Sequence, residues 1–452
     1  MTLHGGVRPR FALVRQERLA DVSGMLRRLR FSVLPAALAL AWGGLAAHSG
    51  FAEEEFFQSD PIGYSRGVSH DAMERLAADW SEGKRLPEAR DALGFLRALL
   101  AELQVPESSQ VVVFSKTSKQ NTLISPSNPR AIFFSDDTYV GSVPGGLMEV
   151  VSCDPDLGPV FYRVEPPREG RGPQAARDDT CLSCHASSRT DGVPGLLVRS
   201  VFTKPDGHPI LSAGTFDTTP ASPLDERWGG WFVTGQHGRA RHMGNVTVAD
   251  PLADPPALDR EAGANWPTLE KKIDTTRYLR PTSDIVALMV LEHQCRVHNL
   301  MTKSALEYRR AGHLQKAADP GFDPARPSGT ALRVAEANAE TLVRAILFDK
   351  EAPLGEDGVQ GGPEFAEAFQ SAGKGDEEGR SLRKLRLEDH LFKYRCSYML
   401  QSSVFRNLPE AVRRVTLGKL REALDGRNAL AAHLPASERA RIVAILSATG
   451  VW

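Results

Sequence analysis

Cysteine is scarce in this chain, which has only five cysteines among its 452 residues. So few cysteines exclude a fold held together by a disulfide framework, and each one needs its own explanation. The chain also has almost no net charge, since its 55 lysines and arginines nearly balance its 56 aspartates and glutamates. Without a basic excess, the composition does not favour nucleic-acid binding. Beyond the N-terminal segment, no stretch is long and apolar enough to predict a membrane-spanning helix.

The N-terminal segment has the pattern of an export signal. Arginines at 27, 28 and 30 precede an apolar stretch from Phe31 to Ala47, and small residues then lead to glutamates at 53–55. This order predicts a secretory signal peptide over residues 1–52, and a signal of ordinary proportions begins at Met25. Export would place the protein in the periplasm. The alternative is an uncleaved segment that anchors the chain in the membrane.

The apolar periodicity changes along the rest of the chain. It predicts N-terminal helices over 53–107, short β-type runs over 108–248, a Pro/Asp/Ala-rich linker over 249–267 and helices over 268–452, with a mobile loop at 350–380. Strong turn sequences separate the β-type runs, which favours antiparallel pairing. The predicted fold class is therefore α+β, with an antiparallel β-rich domain followed by an α-helical C-terminal domain.

Several elements are specific enough to be checked. Asp154–Gly158 is a strong turn sequence between two β-type runs and predicts a hairpin. A helix that starts at Ser283 and Asp284 is apolar on all sides at first, so it is expected to be buried, and it extends to about Arg310. Further helices are predicted at 329–348, 386–405, 409–424 and 436–448.

Two of the cysteines stand in the sequence Cys181-Leu182-Ser183-Cys184-His185. The pattern C-x-x-C-H is typical of covalent haem attachment, in which each cysteine forms a thioether and the histidine is the proximal iron ligand. A redox dithiol would need a βαβ setting, and a zinc site would need a second ligand pair nearby. The sequence shows neither, so it predicts one haem c on Cys181, Cys184 and His185.

A short segment after the motif is a candidate support for the proximal ligand. A metal-bound imidazole is normally held by a hydrogen bond from its other ring nitrogen. In Gly192-Val193-Pro194-Gly195-Leu196, the carbonyl of Pro194 is the predicted acceptor for His185. The same segment is equally typical of a β-turn before the next strand, and both descriptions can hold together.

The sixth iron ligand is less clear from the sequence. Met243 is the first candidate, His237 and His242 lie in the same Gly-rich loop, and His293 on the predicted buried helix is a competitor. The alternative for His293 and His298 is a structural role at helix interfaces. A methionine ligand suits electron transfer, whereas an open position suits the binding of small molecules.

Five other side chains have candidate roles. Arg239 and Arg241 are able to pair with haem propionates, although a solvated loop is the favoured account of them. Cys153, Cys295 and Cys396 remain outside the motif. In an oxidising compartment they suggest at most one disulfide, for which Cys295 and Cys396 are one pairing.

The segments CLSCH, GVPG, GGWFVTGQHG, HMGN and LEHQCRVHNL together resemble a family of exported bacterial proteins known as cytochrome c domain-containing proteins. The resemblance extends from about residue 60 onward and implies haem c binding and electron transfer, with Cys181, Cys184 and His185 as functional residues. A weaker similarity links the chain to haem-c-bearing PAS/Cache-like sensor domains. Those domains also place a CLxCH segment inside an antiparallel sheet, after a region like 116–129.

These observations predict a periplasmic monohaem c-type cytochrome that transfers one electron at a time. Its expected partner is a redox protein or a small electron donor or acceptor, and electron transfer is favoured over catalysis. One alternative is a haem-dependent oxidoreductase with an open sixth site. The other is a haem-based redox or gas sensor.

Overall fold

The computed structural model describes residues 55–253 and 256–452. The predicted signal peptide lies outside these residues. Glu54–Trp452 forms one compact unit. It combines an antiparallel sheet with a helical C-terminal region, so the α+β class is confirmed.

The main sheet has seven strands that pair in the order β6-β5-β4-β3-β2-β1-β9, and every pairing is antiparallel. A second sheet follows the C-x-x-C-H motif and consists of β7 and β8. The strands are β1 (Val111–Val113), β2 (Arg130–Phe134), β3 (Thr138–Ser142), β4 (Met148–Asp154), β5 (Gly158–Glu165), β6 (Gln174–Arg177), β7 (Arg199–Val201), β8 (Thr215–Asp217) and β9 (Trp231–Phe232).

The predicted hairpin is the one that joins β4 to β5. The Asp154 carboxylate accepts hydrogen bonds from the backbone N–H groups of Asp156 and Leu157, at 2.7 and 2.8 Å. Gly158 then takes a positive φ of 77°, which a residue without a Cβ adopts readily. This local chemistry explains why the turn sequence forms a hairpin here.

The helices of the described residues are α1 (Ala72–Ser81), α2 (Ala92–Glu102), α3 (Leu182–His185), α4 (Ile285–Ala318), α5 (Gly329–Ile346), α6 (Pro363–Ser371), α7 (Ser403–Arg406), α8 (Glu410–Leu424) and α9 (Ala436–Ala448). Helices α1 and α2 bury their apolar side chains in the same core as Phe133 and Met148 of the sheet. Among the described residues, no helix combines the length and apolar character that crossing a bilayer requires.

Helix α4 is the predicted buried helix, and this prediction is confirmed. The side chain of Asp284 caps its N-terminus by accepting from the N–H groups of Val286 and Ala287, both at 2.9 Å. Residues 285–291 are each at most 3% exposed. One core contains these residues together with Phe134 and Tyr139 of the sheet, so α4 connects the helical region to the sheet.

Two segments differ from the sequence prediction. No helix spans 386–405, because Leu387 has a positive φ of 63° and the chain from Phe392 to Cys396 buries alternate side chains, as extended backbone does. The segment 350–380, predicted as a loop, contains α6, whose Phe365 and Phe369 are buried in the core. Phe365 and Phe369 are four residues apart, which suits one face of a helix, but the Gly, Glu and Asp residues of this segment favoured a loop.

Candidate functional site

The C-x-x-C-H motif forms a single helical turn beside the sheet. Asp178 begins the turn, since its carboxylate accepts from the N–H of Thr180 and its own N–H donates to the carbonyl of Phe161. The turn then runs through α3, and its first residue, Leu182, is buried in the core together with Ala186, which follows α3. Both cysteines and the histidine therefore lie on one turn, as the motif predicts.

His185 is held by the segment that follows the motif, although not through the predicted residue. Its Nδ1 lies 2.8 Å from the carbonyl oxygen of Gly195, whereas the prediction named Pro194. Gly195 also donates its N–H to the carbonyl of His185, at 2.7 Å. Pro194 has no N–H and so cannot donate to the carbonyl of His185. The next residue, Gly195, has an N–H and forms both hydrogen bonds with His185. The prediction of Pro194 is wrong by one residue.

The imidazole of His185 is in the form that binds metal. Burial lowers the pKa of His185, so the ring is neutral at physiological pH. Because Nδ1–H donates to Gly195, the lone pair is on Nε2. The ring packs against Phe161 of β5, with the ring centroids 4.9 Å apart. Two neighbours therefore fix the orientation of the ring and leave the lone pair of Nε2 without a bond to either of them.

The two thiols of the motif differ in their burial. Cys184 is exposed and Cys181 is half-buried. Burial and the charge of Asp178 raise the pKa of Cys181 to about 11, whereas reactive dithiols have a lowered pKa. Within the described ranges, no three His, Cys, Asp or Glu side chains come together as a metal site. A structural zinc ion would need four such ligands.

The sheet beside the motif offers a cationic group. Arg130 forms an ion pair with Glu149 at 2.9 Å, and their charges affect the pKa of both Cys181 and His185. The guanidinium of Arg130 lies over Gly141, where an added Cβ would be 2.6 Å from its Nε. This Nε is buried and has no hydrogen-bond partner among the described residues. One N–H beside the motif thus remains free for an acceptor.

Met243 is fully buried away from solvent. Its sulfur accepts a hydrogen bond from the hydroxyl of Ser200 at 3.6 Å, and its N–H donates to the carbonyl of Arg227. An added Cβ on Gly229 would meet its methyl group at 3.0 Å. In the part of the chain that the structure describes, none of its hydrogen bonds involves the motif. Met243 as the sixth ligand therefore stays a prediction.

The competing histidines are also engaged elsewhere. His293 is buried on α4, where its Nε2 lies 2.8 Å from the Ser397 hydroxyl and its ring stacks on Phe348. His237 and His242 lie in the Gly-rich loop with ring centroids 4.7 Å apart. The contacts of His293 agree with a structural role, whereas Nε2 of His242 has no hydrogen-bond partner among the described residues.

The remaining candidates have other partners. Arg239 pairs with Glu356 and Asp357, and Arg241 pairs with Glu261. All five cysteines are free thiols. Cys295 and Cys396 are both buried, but the suggested disulfide between them is not formed.

Four residues around the motif were not predicted from the sequence, namely Arg130, Phe161, Gly195 and Asn299. Asn299 lies on α4, and its side chain forms two hydrogen bonds with the backbone of Leu196. The sequence gives one indication of its role, because Asn299 is a polar residue inside a helix that is predicted to be buried on all sides. Arg130 and Phe161 give no signal, because only the strand register brings them to the motif.

Comparisons with protein-family models, with curated proteins and with solved structures found no match for this chain.

Proposed function

We propose that this chain is an exported monohaem c-type cytochrome that transfers single electrons. Cys181 and Cys184 attach the haem, and His185 is its proximal ligand. The observation that supports this most is the hydrogen bond from His185 Nδ1 to Gly195, which leaves Nε2 as the ligand atom. We also propose that the antiparallel sheet around the motif is PAS/Cache-like.

The residues around the motif fit a haem group. The free N–H of Arg130 is a donor for a propionate, and guanidinium groups match carboxylates well. Glycine at 141 leaves the room in which this guanidinium lies. Phe161 covers one side of the His185 ring and limits the access of water to it. Bound haem supplies an iron that alternates between the ferric and ferrous states and so carries one electron.

The exposure of Cys184 suggests where electrons enter and leave. A haem attached through an exposed thiol has its edge near the surface on that side. The partner is then a redox protein, or a small electron donor or acceptor, that reaches this edge. The pattern of the N-terminal segment supports export to the periplasm, where such a partner would be met.

A second candidate function is the binding of a small ligand at the iron. It is favoured by the sulfur of Met243, which already accepts from Ser200, and by His293, which already pairs with Ser397. If neither side chain reaches the iron, the sixth position is open. An open position suits a haem oxidoreductase or a gas sensor.

Haem attachment is tested by producing the full chain in a host that matures c-type cytochromes. We expect one haem that stays with the polypeptide after denaturation, and we expect its loss in the Cys181→Ser/Cys184→Ser variant. Cys153→Ser is the matched control, since it removes a thiol outside the motif and should keep the haem. Equal haem retention by the double variant, measured by absorption spectra and intact mass, would contradict the proposal.

Carbon monoxide separates the two candidate functions. An electron carrier with both axial positions filled should bind carbon monoxide slowly or not at all in the ferrous state. Prompt binding by the wild-type protein would instead support the open sixth site. The spectrum of Met243→Ala adds a further check, because a methionine ligand would be revealed by the loss of low-spin features.

A further inference from the structure

The loop that supports His185 is attached to helix α4 at two points. Arg296 forms an ion pair with Asp191 at 2.6 Å. One turn further along the helix, Asn299 bonds to both backbone groups of Leu196. Its Oδ1 accepts from the Leu196 N–H at 2.8 Å, and its Nδ2 donates to the Leu196 carbonyl at 2.7 Å. The helix thus fixes the backbone next to Gly195.

Gly195 lies in a space that Asn299 helps to define. An added Cβ on Gly195 would be 2.6 Å from Asn299 Oδ1 and 2.9 Å from the Cβ of Thr190. The Asn299 side chain is 4% exposed, so no water competes for its two hydrogen bonds. The position of the Gly195 carbonyl, and with it the hydrogen bond from His185 Nδ1, therefore depends on Asn299.

We infer that Asn299 is a positioning residue for the proximal ligand, through the sequence of contacts Asn299–Leu196–Gly195–His185. The inference rests on the proposed function for its effect on iron, but the effect on the imidazole is independent of haem. A histidine whose Nδ1–H is held by an acceptor is a stronger electron donor through Nε2, which favours the ferric state. Helix α4 thereby adjusts the reduction potential from a distance.

The first test uses haem-free full-length protein with Cys181→Ser and Cys184→Ser. Selective ¹⁵N labelling of histidine, with His185→Gln for assignment, reports which ring nitrogen carries the proton. We expect a single Nδ1–H tautomer with Asn299 present and a mixture of tautomers in Asn299→Leu, which has a similar size but forms no hydrogen bonds. An unchanged tautomer in Asn299→Leu would overturn the inference, whether or not the protein carries haem.

The second test measures the reduction potential of the haem-loaded protein. In Asn299→Leu we expect a higher potential, so that the ferrous/ferric ratio rises about tenfold at a fixed applied potential. Asn299→Asp keeps the acceptor for the Leu196 N–H and should fall between wild type and Asn299→Leu. It also keeps the experiment informative if Asn299→Leu folds poorly.

Asn338→Leu is the matched control. Asn338 also lies on a helix and donates a side-chain hydrogen bond, to Glu307 at 2.8 Å, but it does not contact the loop. We expect it to leave the potential at the wild-type value. Equal potentials in wild type, Asn299→Leu and Asn299→Asp would overturn the inference, while a failure to attach haem in wild type would overturn only the proposed function.

Discussion

Buried polar side chains connect α4 to the face of the sheet that carries the motif. Gln294 donates to the hydroxyl of Tyr139 at 2.7 Å and to the carbonyl of Ser135 at 2.6 Å. One turn further along, His298 Nδ1 lies 2.7 Å from the same hydroxyl. These groups are paired only while the helix is docked, so separating the helix from the sheet would leave them without partners.

His298 makes stability depend on pH. It is fully buried, and burial lowers its pKa to about 4, against the opposing charge of Asp137. In the unfolded chain, His298 has a pKa of about 6.5 and binds a proton below that pH, whereas in the folded chain it stays neutral down to about pH 4. The free energy of unfolding therefore decreases as the pH falls from about 6.5 toward 4. This one group should cost about 2 kcal/mol between pH 7.5 and pH 4.5.

The measurement is urea unfolding at both pH values for wild type and His298→Gln. The glutamine keeps a polar group near Tyr139 but does not titrate. We expect the loss of stability on acidification to be smaller in the variant by about 2 kcal/mol, whatever its stability at neutral pH. An equal loss in both proteins would show that His298 is protonated in the folded state.

The motif residues could be predicted because they occupy five consecutive positions of the sequence. The residues that orient the motif could not be predicted in this way. Asn299 and Arg130 lie far from the motif in the chain, and only tertiary contacts bring them to it. The shift from Pro194 to Gly195 has another cause, since a sequence pattern identifies the segment but not which carbonyl points at the ring.

At the scale of elements, the turn between β4 and β5 packs directly on α4. Gly158 has a positive φ of 77°, and an added Cβ there would be 2.6 Å from a methyl carbon of Thr302. A side chain at position 158 would therefore destabilise the folded state for two separate reasons. One is the backbone conformation and the other is the lack of space against the helix.

Gly158→Ala should destabilise the fold by about 2 kcal/mol, measured by urea unfolding. Gly145→Ala is the matched control, because Gly145 also has a positive φ, of 85°, but open space around its Cβ position. Gly145→Ala should therefore lower the free energy of unfolding by less, through the positive φ alone. In the Thr302→Ser background, which removes the methyl group, the excess cost of Gly158→Ala should largely disappear. Equal costs for the two glycine substitutions would contradict tight packing of the turn on α4.

The elements that the sequence predicted well have different signals. Helices α5 and α8 have one apolar face, the first turns of α4 are apolar on all sides, and the β4–β5 hairpin has a strong turn sequence. The segment 386–405 was misjudged because Leu387, Leu391 and Phe392 have a spacing that suits a helix, whereas the later residues alternate. The segment is extended rather than helical, because extended backbone places Phe392, Tyr394 and Cys396 in the core.

For the molecule as a whole, the β-rich region and the helical region share one core. The sheet residues Val111 and Tyr139 belong to the same apolar cluster as the first turns of α4. Backbone groups are shared as well, because the Ser283 hydroxyl accepts from the Val112 N–H at 2.8 Å and donates to the Phe232 carbonyl at 2.6 Å. The face of the sheet that carries the motif is therefore completed by a helix that comes after the linker.

A fragment that ends at residue 267 should consequently fail to fold cooperatively. It would expose the apolar face of the sheet and leave the N–H of Val112 and the hydroxyl of Tyr139 without their partners from 283–298. We expect rapid proteolysis and no sharp thermal transition by circular dichroism, while the chain from residue 55 to 452 shows both protease resistance and one transition. Because Asn299 is also missing from the fragment, His185 would lose the support of its loop even where haem is attached. A protease-resistant fragment with a cooperative transition would mean that the sheet is an independent domain and that α4 only docks against it.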